Sequence, residues 1–413
     1  MTQFDKFILA NGLKVIVHRD TSTPIVAMNI LYNVGARDEQ PDKTGFAHLF
    51  EHLMFGGSAN IPDYDEPLEC AGGENNAFTT NDITNYYLTI PKPNLETAFW
   101  LESDRMLELA FSPKSLRVQR DVVTEEFNES HLNQPYGDVW LLLRPLAYKV
   151  HPYQWSTIGK EISHIQNAKL NEVKAFYQKY YNPNNAIMVV AGDVETEEIK
   201  QLSEKWFGPI PRGGEYLRNL PAEPPQTTKR TLTVERNVPY DAIYLAYHMC
   251  SRSHADYYPT DLLSEVLSDG DSSRLEQELI KKQRLFSEIN AWITGDIDEG
   301  LFIISGKLVS GVAMDKAEAA IVLELEKLQK ETINERELQK VKNKMESMIV
   351  FSEMKVLEKA IGLAYAELMG DASLYNEEME HYMAVSAEDL RRVAQRIFIP
   401  ENCSAVYYLA KKS

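Results

Sequence analysis

Hydrophobic and polar positions along the chain follow two different periods, and the change from one period to the other marks the predicted elements. Apolar runs at residues 7–9 and 14–18 flank Asn11-Gly12, a pair typical of a tight β-hairpin. Apolar runs at 25–32 and 185–194 have the length and composition of buried strands. The first part of the chain is therefore predicted to contain a β-sheet.

Segments with helical periodicity separate these strands, and the same order of elements begins again after a proline-rich stretch. In the first part the predicted helices are 95–109, 113–132, 136–148 and 170–180. In the second part the predicted strands are 230–235, 242–248, 286–294, 301–307 and 404–409, and the predicted helices are 258–267, 315–330, 335–351 and 358–368. We predict a first domain at 1–207, a linker at 208–228 rich in proline, and a second domain at 229–413 that arose by duplication.

Composition excludes several classes of protein. The chain has 413 residues, 44% of them hydrophobic, and no apolar run approaches the roughly 18 residues that a membrane span requires. The net charge of −18 argues against a nucleic-acid partner, because phosphate binding requires a basic face. Cys70, Cys250 and Cys403 are odd in number and widely spaced, which is not the pattern of a disulfide framework. The first residues do not resemble a signal peptide, so we expect a cytoplasmic protein, or a periplasmic one if a leader was removed.

The strongest candidate chemistry lies at residues 45–56, which contain His-x-x-Glu-His. On a helix, His48 and His52 stack one turn apart and Glu51 lies on the flank of the same face. Two imidazoles could then reach one metal ion with a carboxylate beside it. The opposite face carries an apolar stripe, formed by Phe46, Leu49, Phe50 and Leu53, that would anchor the helix in a core.

A third ligand is needed to separate a catalytic metal site from a merely structural pair of hydrogen-bonded histidines. A catalytic zinc ion takes three protein ligands and keeps one position open for water. The helix-period segment 113–132 carries acidic residues that could supply the third ligand. By periodicity alone, Glu125, Glu126 and Glu129 are all eligible.

The His-x-x-Glu-His motif, together with Arg-Asp-Val-Val-Thr-Glu-Glu at 120–126, resembles the inverted-zincin metallopeptidases of the pitrilysin and mitochondrial processing peptidase family. In that family the glutamate that ends this pattern is the third ligand, which implies Glu126 and leaves Glu129 as the alternative. Members commonly have another glutamate seven residues earlier, whose carboxylate supports the metal ligands. This chain has Gln119 there, so an amide stands in place of that carboxylate. The resemblance also implies an α+β fold of two tandem homologous domains, each a mainly antiparallel sheet packed with helices, with metal ligands in the first domain only.

The resemblance implies a zinc endopeptidase that holds one Zn²⁺ per chain and cleaves unfolded peptides or precursor segments. His48, His52 and Glu126 would bind the ion, and Glu51 would take a proton from water and pass it to the leaving amine. The Asn-Ala-Phe-Thr segment at 76–79 corresponds to an edge strand to which the substrate peptide adds as a further strand. Asn76 and Ala77 are therefore expected to contact the substrate.

One feature of active family members is missing from the second part of the chain. Those members use an Arg and a Tyr, in a Leu-Arg-x-x-x-x-Leu-x-Tyr pattern, to hold the substrate and the developing oxyanion. The corresponding positions here are Ile280 and Ser287, with the register fixed by Ser-Ser-Arg-Leu at 272–275. The chain thus resembles the zinc-bearing subunit of the short two-subunit bacterial members, and a homologous partner that supplies the Arg and Tyr is expected. The alternative is a non-catalytic subunit that binds peptides or acts as a scaffold.

Overall fold

The computed structural model describes residues 1–411 and consists of two β-sheets packed with helices. The strands are β1 (Asp5–Ile8), β2 (Lys14–Arg19), β3 (Ile25–Tyr32), β4 (Glu74–Thr79), β5 (Thr84–Pro91), β6 (Ala186–Gly192), β7 (Arg230–Arg236), β8 (Ala242–His248), β9 (Phe286–Ile293), β10 (Leu301–Leu308) and β11 (Cys403–Ala410). The α-helices are α1 (Phe46–Leu53), α2 (Asp65–Cys70), α3 (Leu95–Leu107), α4 (Pro113–Phe127), α5 (Val139–Ala147), α6 (Ile162–Gln166), α7 (Leu170–Tyr180), α8 (Thr196–Trp206), α9 (Tyr257–Ser268), α10 (Met314–Lys330), α11 (Glu335–Ser352), α12 (Val356–Met369), α13 (Glu378–Ala384) and α14 (Ala387–Ile397). The predicted α+β class is confirmed.

The first sheet has the strand order β1-β2-β6-β3-β5-β4. Strands β2 and β6 are parallel, and every other neighbouring pair is antiparallel. The predicted hairpin joins β1 to β2, and Gly12 in its turn has a φ of 94°, a conformation that favours glycine. β4 forms one edge of this sheet, so one side of its backbone has no neighbouring strand within the sheet.

The second sheet repeats this arrangement with the order β7-β11-β8-β10-β9. Strands β7 and β11 are parallel and the other neighbours are antiparallel. Order and direction therefore match those of β2-β6-β3-β5-β4 in the first sheet. This correspondence supports the duplication inferred from the sequence, and the predicted mainly antiparallel sheets are confirmed.

The described residues form two compact units, and each unit includes a segment from the other half of the chain. The first unit comprises Met1–Phe127, Trp155–Leu220 and Ile349–Glu377, and the second comprises Asn128–Gln154, Pro221–Met348 and 378–411. In the first unit α12 covers β3 and β6, and in the second unit α5 packs on β8 and β11. The tandem domains 1–207 and 229–413 stay a prediction. The compact units differ from them because residues 128–154 belong to the second unit and residues 349–377 belong to the first.

Several element predictions needed correction. The helix predicted at 113–132 is α-helical only to Phe127 and continues as a π-helical turn over Asn128–Leu132. Helices α8 and α14 are not among the predicted helices, although α8 buries Ile199 and α14 buries Leu390, Val393, Ala394 and Ile397. No helix within residues 1–411 is long and apolar enough to cross a membrane. The cytoplasmic location stays a prediction.

Candidate metal centre

Helix α1 carries two histidines on one face and an apolar stripe on the other. The residues of the predicted stripe are buried, namely Phe46, Leu49, Phe50 and Leu53. His48 and His52 lie one turn apart and remain partly accessible, with side-chain exposures of 13% and 25%. The histidines therefore are not needed to fill the core that anchors the helix.

The N-terminus of α1 is fixed by the buried carboxylate of Glu39. Its two oxygens accept hydrogen bonds from the backbone N–H groups of Gly45 at 2.9 Å and Ala47 at 2.8 Å. These N–H groups belong to the start of the helix, where no intrahelical acceptor is available. Gly45 has a φ of 88°, and a Cβ there would stand 2.7 Å from the carbonyl oxygen of Ile158. The start of α1 is thus held on its buried side, which orients the histidines.

Helix α4 brings Glu126 to the two histidines. Glu126 Oε2 lies 3.3 Å from His52 Nε2, and Glu126 Oε1 lies 3.7 Å from His48 Nε2. The two Nε2 atoms are 3.4 Å apart. Within residues 1–411, these three side chains form the group that could hold a metal ion, and neither Glu125 nor Glu129 belongs to it.

The three side chains lie close enough together to share one zinc ion. Zinc binds imidazole nitrogen and carboxylate oxygen at about 2.0–2.2 Å, so two ligands of a tetrahedron stand about 3.3–3.6 Å apart. The two Nε2 atoms are 3.4 Å apart, and each lies 3.3–3.7 Å from a different oxygen of the Glu126 carboxylate, so both imidazoles and the carboxylate are within the range that one zinc ion can span. Three protein ligands would leave one position of a tetrahedral zinc ion open for water, as at catalytic zinc sites.

Burial and ion pairing set the charge states of these ligands. Burial lowers the pKa of His48 to about 4, and the nearby carboxylate of Glu126 opposes this effect only in part. The hydrogen bond with His52 lowers the pKa of Glu126, although burial acts in the other direction. Metal binding requires a neutral imidazole and an ionised carboxylate. At neutral pH both residues therefore favour the form that binds a metal ion.

Glu51 lies next to the histidines and is held by the edge strand. Thr79, the last residue of β4, donates a hydrogen bond from Oγ1 to Glu51 Oε2 at 2.6 Å. Burial raises the pKa of Glu51, and the hydrogen bond from Thr79 partly opposes this rise. A carboxylate with a raised pKa is better suited to accept a proton near neutral pH. Sequence patterns alone assign no role to Thr79.

The remaining candidate residues of the first unit lie on β4 and α4. Asn76 and Ala77 are on the edge strand, where Asn76 Oδ1 accepts a hydrogen bond from the Ala77 N–H at 2.8 Å. Gln119 is partly buried, and its Nε2 stands 3.9 Å from the position that a Cβ on Gly56 would take. Gly56 follows α1, so Gln119 lies near the C-terminal end of that helix. The substrate contacts and the supporting role of Gln119 stay predictions.

The positions that correspond to the family's Arg and Tyr lie in the second unit. Ile280 is half-buried in a π-helical segment, Glu276–Lys282, and Ser287 is exposed on β9. The Ser287 hydroxyl donates to the backbone carbonyl of Lys307 at 3.3 Å. An isoleucine has no polar group, and a serine is much shorter than a tyrosine. Neither side chain can therefore supply the donor that its family counterpart supplies.

Comparisons with known proteins identify the family to which the chain belongs. Residues 14–159 match Insulinase (Peptidase family M16), and residues 167–345 match the Peptidase M16 inactive domain. The zinc protease PqqE of Helicobacter pylori is 31% identical over 414 residues, which cover 98% of this chain and 93% of that protein. The crystal structure of a protease from Helicobacter pylori has a TM-score of 0.92 at 30% identity, covering 99% of this chain and 100% of the other.

A more distant structure shares the fold. The periplasmic protease PqqL from Escherichia coli has a TM-score of 0.80 at 17% identity, and the match covers 99% of this chain but 48% of PqqL. The match to PqqE extends over nearly the full length of both proteins, and the His-His-Glu group has the donor types of a zinc site within 4.8 Å of one another. The chain therefore belongs to peptidase family M16 and is a zinc metallopeptidase of that family.

Proposed function

We propose that this protein is an endopeptidase of the inverted His-x-x-Glu-His type, with one Zn²⁺ per chain bound by His48, His52 and Glu126. The convergence of two imidazole nitrogens, 3.4 Å apart, and a carboxylate that lies within 3.7 Å of both carries the proposal. Bound zinc supplies a Lewis acid that makes water more acidic and polarises the scissile carbonyl. Glu51 accepts the proton that the attacking water loses and later donates it to the leaving amine.

The substrate in this proposal is an extended peptide that pairs with the free edge of β4. Backbone pairing selects an unfolded segment without requiring a particular sequence. Asn76 and Ala77 are the proposed contacts. The Ala77 N–H already donates to Asn76 Oδ1. A substrate carbonyl that accepts from the Ala77 N–H would therefore displace the Asn76 side chain from it.

Glu51→Gln tests the assignment of the general base. We expect the variant to bind one zinc per chain but to lose peptide hydrolysis by at least about 100-fold, because an amide cannot accept the proton. Zinc content by mass spectrometry and turnover of a fluorogenic peptide are measured on the same preparation. Glu125→Gln, an exposed change on α4, is the matched control and should retain both properties. Turnover by Glu51→Gln close to that of the wild type would remove Glu51 from this role.

We further propose that the active enzyme is a heterodimer with a homologous subunit that supplies the missing Arg and Tyr. Ile280 and Ser287 cannot donate hydrogen bonds to a developing oxyanion as those side chains would. The length of PqqL supports the proposal, because the present chain corresponds to about half of that protease. A partner would provide a second half as a separate chain.

The partner proposal is tested by assaying the chain alone, with its homologous partner, and with a partner whose Arg and Tyr are replaced. We expect a gain of about 100-fold or more from the intact partner and little gain from the altered one, in keeping with the usual effect of an oxyanion donor. Lys281 and Arg284 could substitute in part, so the isolated chain is expected to show slow turnover. Full activity of the chain alone, without any gain from the partner, would contradict the proposal. Peptide binding without turnover in every combination would favour the alternative of a non-catalytic peptide-binding subunit.

A further inference from the structure

We propose that Thr79 is a positioning residue for the general base and that it links substrate alignment on β4 to the orientation of the Glu51 carboxylate. This inference rests on the proposed function of Glu51. The Thr79 hydroxyl donates to Oε2 at 2.6 Å, a short contact that is typical of a hydroxyl bonded to a carboxylate. This bond fixes the direction of the Glu51 carboxylate, which accepts the proton of the attacking water.

A glutamate that acts as a general base needs a hydrogen-bond donor that holds its carboxylate in one orientation. Its side chain has three rotatable bonds, and fixing them costs conformational entropy. Within residues 1–411, Thr79 is the residue whose side chain donates a hydrogen bond to Glu51. The hydroxyl thus selects the carboxylate orientation before substrate arrives, which is the kind of preorganisation that catalytic groups require.

The position of Thr79 in the sheet explains why a threonine is suitable. It is the last residue of β4 and pairs with Thr84 of β5, so its backbone is fixed by the sheet. A β-branched side chain in a strand has a restricted χ1 angle, which limits the directions in which the hydroxyl can point. Side chains alternate along a strand, so Ala77 lies on the same face of β4 as Thr79.

These features place two tasks on one strand. The free edge of β4 is the proposed site for pairing with the substrate backbone, and the Thr79 hydroxyl at the end of the same strand holds the base. A peptide bound in register would therefore lie at a fixed position relative to the carboxylate oxygen that accepts the proton. A hydroxyl that only satisfied a buried polar group would affect stability, but it would not affect turnover selectively.

The test compares Thr79→Val, which keeps the shape but removes the donor, with Thr79→Ser, which keeps the donor. The zinc-loaded full chain is assayed, together with its partner subunit. We expect Thr79→Val to lower kcat by about 10- to 100-fold with KM changed less than about threefold, as is usual for groups that orient a catalytic residue. Thr79→Ser should recover most of kcat. Thr89→Val, at the opposite end of the β4–β5 pair, is the control and should leave both constants unchanged.

A second measurement does not depend on turnover. In metal-free protein, Thr79→Val should lower the denaturant midpoint of unfolding in the wild type but not in a Glu51→Ala background, because the partner of the hydroxyl is then absent. Thr79→Ala replaces Thr79→Val if the valine variant does not fold. Unchanged kcat in Thr79→Val, or equal loss of kcat in the Val and Ser variants, would overturn the inference. If Glu51→Gln is inactive while Thr79→Val is fully active, only this inference fails, whereas full activity of Glu51→Gln would overturn the proposed function itself.

Discussion

At the scale of single residues, the choice among three glutamates shows what the fold adds to the sequence. Helical periodicity alone makes Glu125, Glu126 and Glu129 equally eligible as the third ligand, and only the resemblance to the family favours Glu126. Successive residues on a helix are about 100° apart, so adjacent glutamates point in different directions. In the structure Glu126 reaches both histidines, whereas Glu125 is exposed and lies outside the group that could hold a metal ion.

This difference predicts how two neighbouring substitutions should affect zinc. Glu126→Gln replaces the carboxylate donor by a neutral amide and should weaken zinc binding by at least about tenfold. Glu125→Gln makes the same chemical change one position earlier and should leave the affinity unchanged. Zinc affinity is measured by competition with a chromophoric chelator. Equal affinities for the two variants would show that Glu126 is not the third ligand.

The sequence was informative about residues whose geometry is local. His48, Glu51 and His52 can be predicted from the sequence because residues three and four positions apart on one helix have a fixed relative placement. Thr79 and Glu39 could not be predicted in the same way. Each acts through a hydrogen bond that forms only after the chain has brought separate elements together, Thr79 to Glu51 and Glu39 to the start of α1.

At the scale of elements, long apolar runs predicted strands well. β3 was predicted at 25–32 and is found at Ile25–Tyr32, since a buried strand of this length contains few polar residues. β4 is the opposite case. Its sequence, Glu-Asn-Asn-Ala-Phe-Thr, has several residues that are rare in strands, and the pair Gly72-Gly73 just before it is typical of a turn. Pairing with β5 outweighs that intrinsic preference, and only the family resemblance implied an edge strand there.

The helices show a related limit. The segment 113–132 has continuous helical periodicity, yet its hydrogen-bonding pattern changes after Phe127 to that of a π-helix. A π-helical turn is rare, and when it occurs it is often near a functional site. Here it begins two residues after Glu126, a change that side-chain periodicity does not reveal.

At the scale of the whole molecule, sequence periodicity does not predict that each compact unit includes a segment from the other half of the chain. α12 follows the predicted linker in sequence, yet it packs on the first sheet, and Lys359 binds Asp20 at 2.7 Å across 339 residues of sequence. Amphipathic periodicity predicted a helix there, but it could not say which sheet the apolar face covers. A boundary placed at the linker therefore separates α12 from its sheet.

This packing predicts that the first half will not fold alone. A fragment of residues 1–220 lacks the side chains that cover one face of the first sheet, namely those of Val356, Ala360, Leu363 and Ala364. Burial of one large aliphatic side chain is worth about 1.5–3 kcal/mol, whereas a whole domain has a net stability of only about 5–15 kcal/mol. We therefore expect the fragment to bind a hydrophobic dye and to unfold without a cooperative calorimetric transition.

Addition of a synthetic peptide of residues 349–377 should restore the transition, because α12 can then cover Leu31 and Val189. Its Glu367 should also pair with Lys6, whose Nζ lies 2.8 Å from the Glu367 carboxylate in the intact chain. The control is the same peptide with Leu363→Asp, which keeps the charged contacts but places a carboxylate against the sheet, where an unpaired charge is strongly disfavoured. Dye release and a cooperative transition with the native peptide only is the expected result. A cooperative transition of residues 1–220 without any peptide would mean that the first part of the chain folds independently and that α12 is not needed to complete the first sheet.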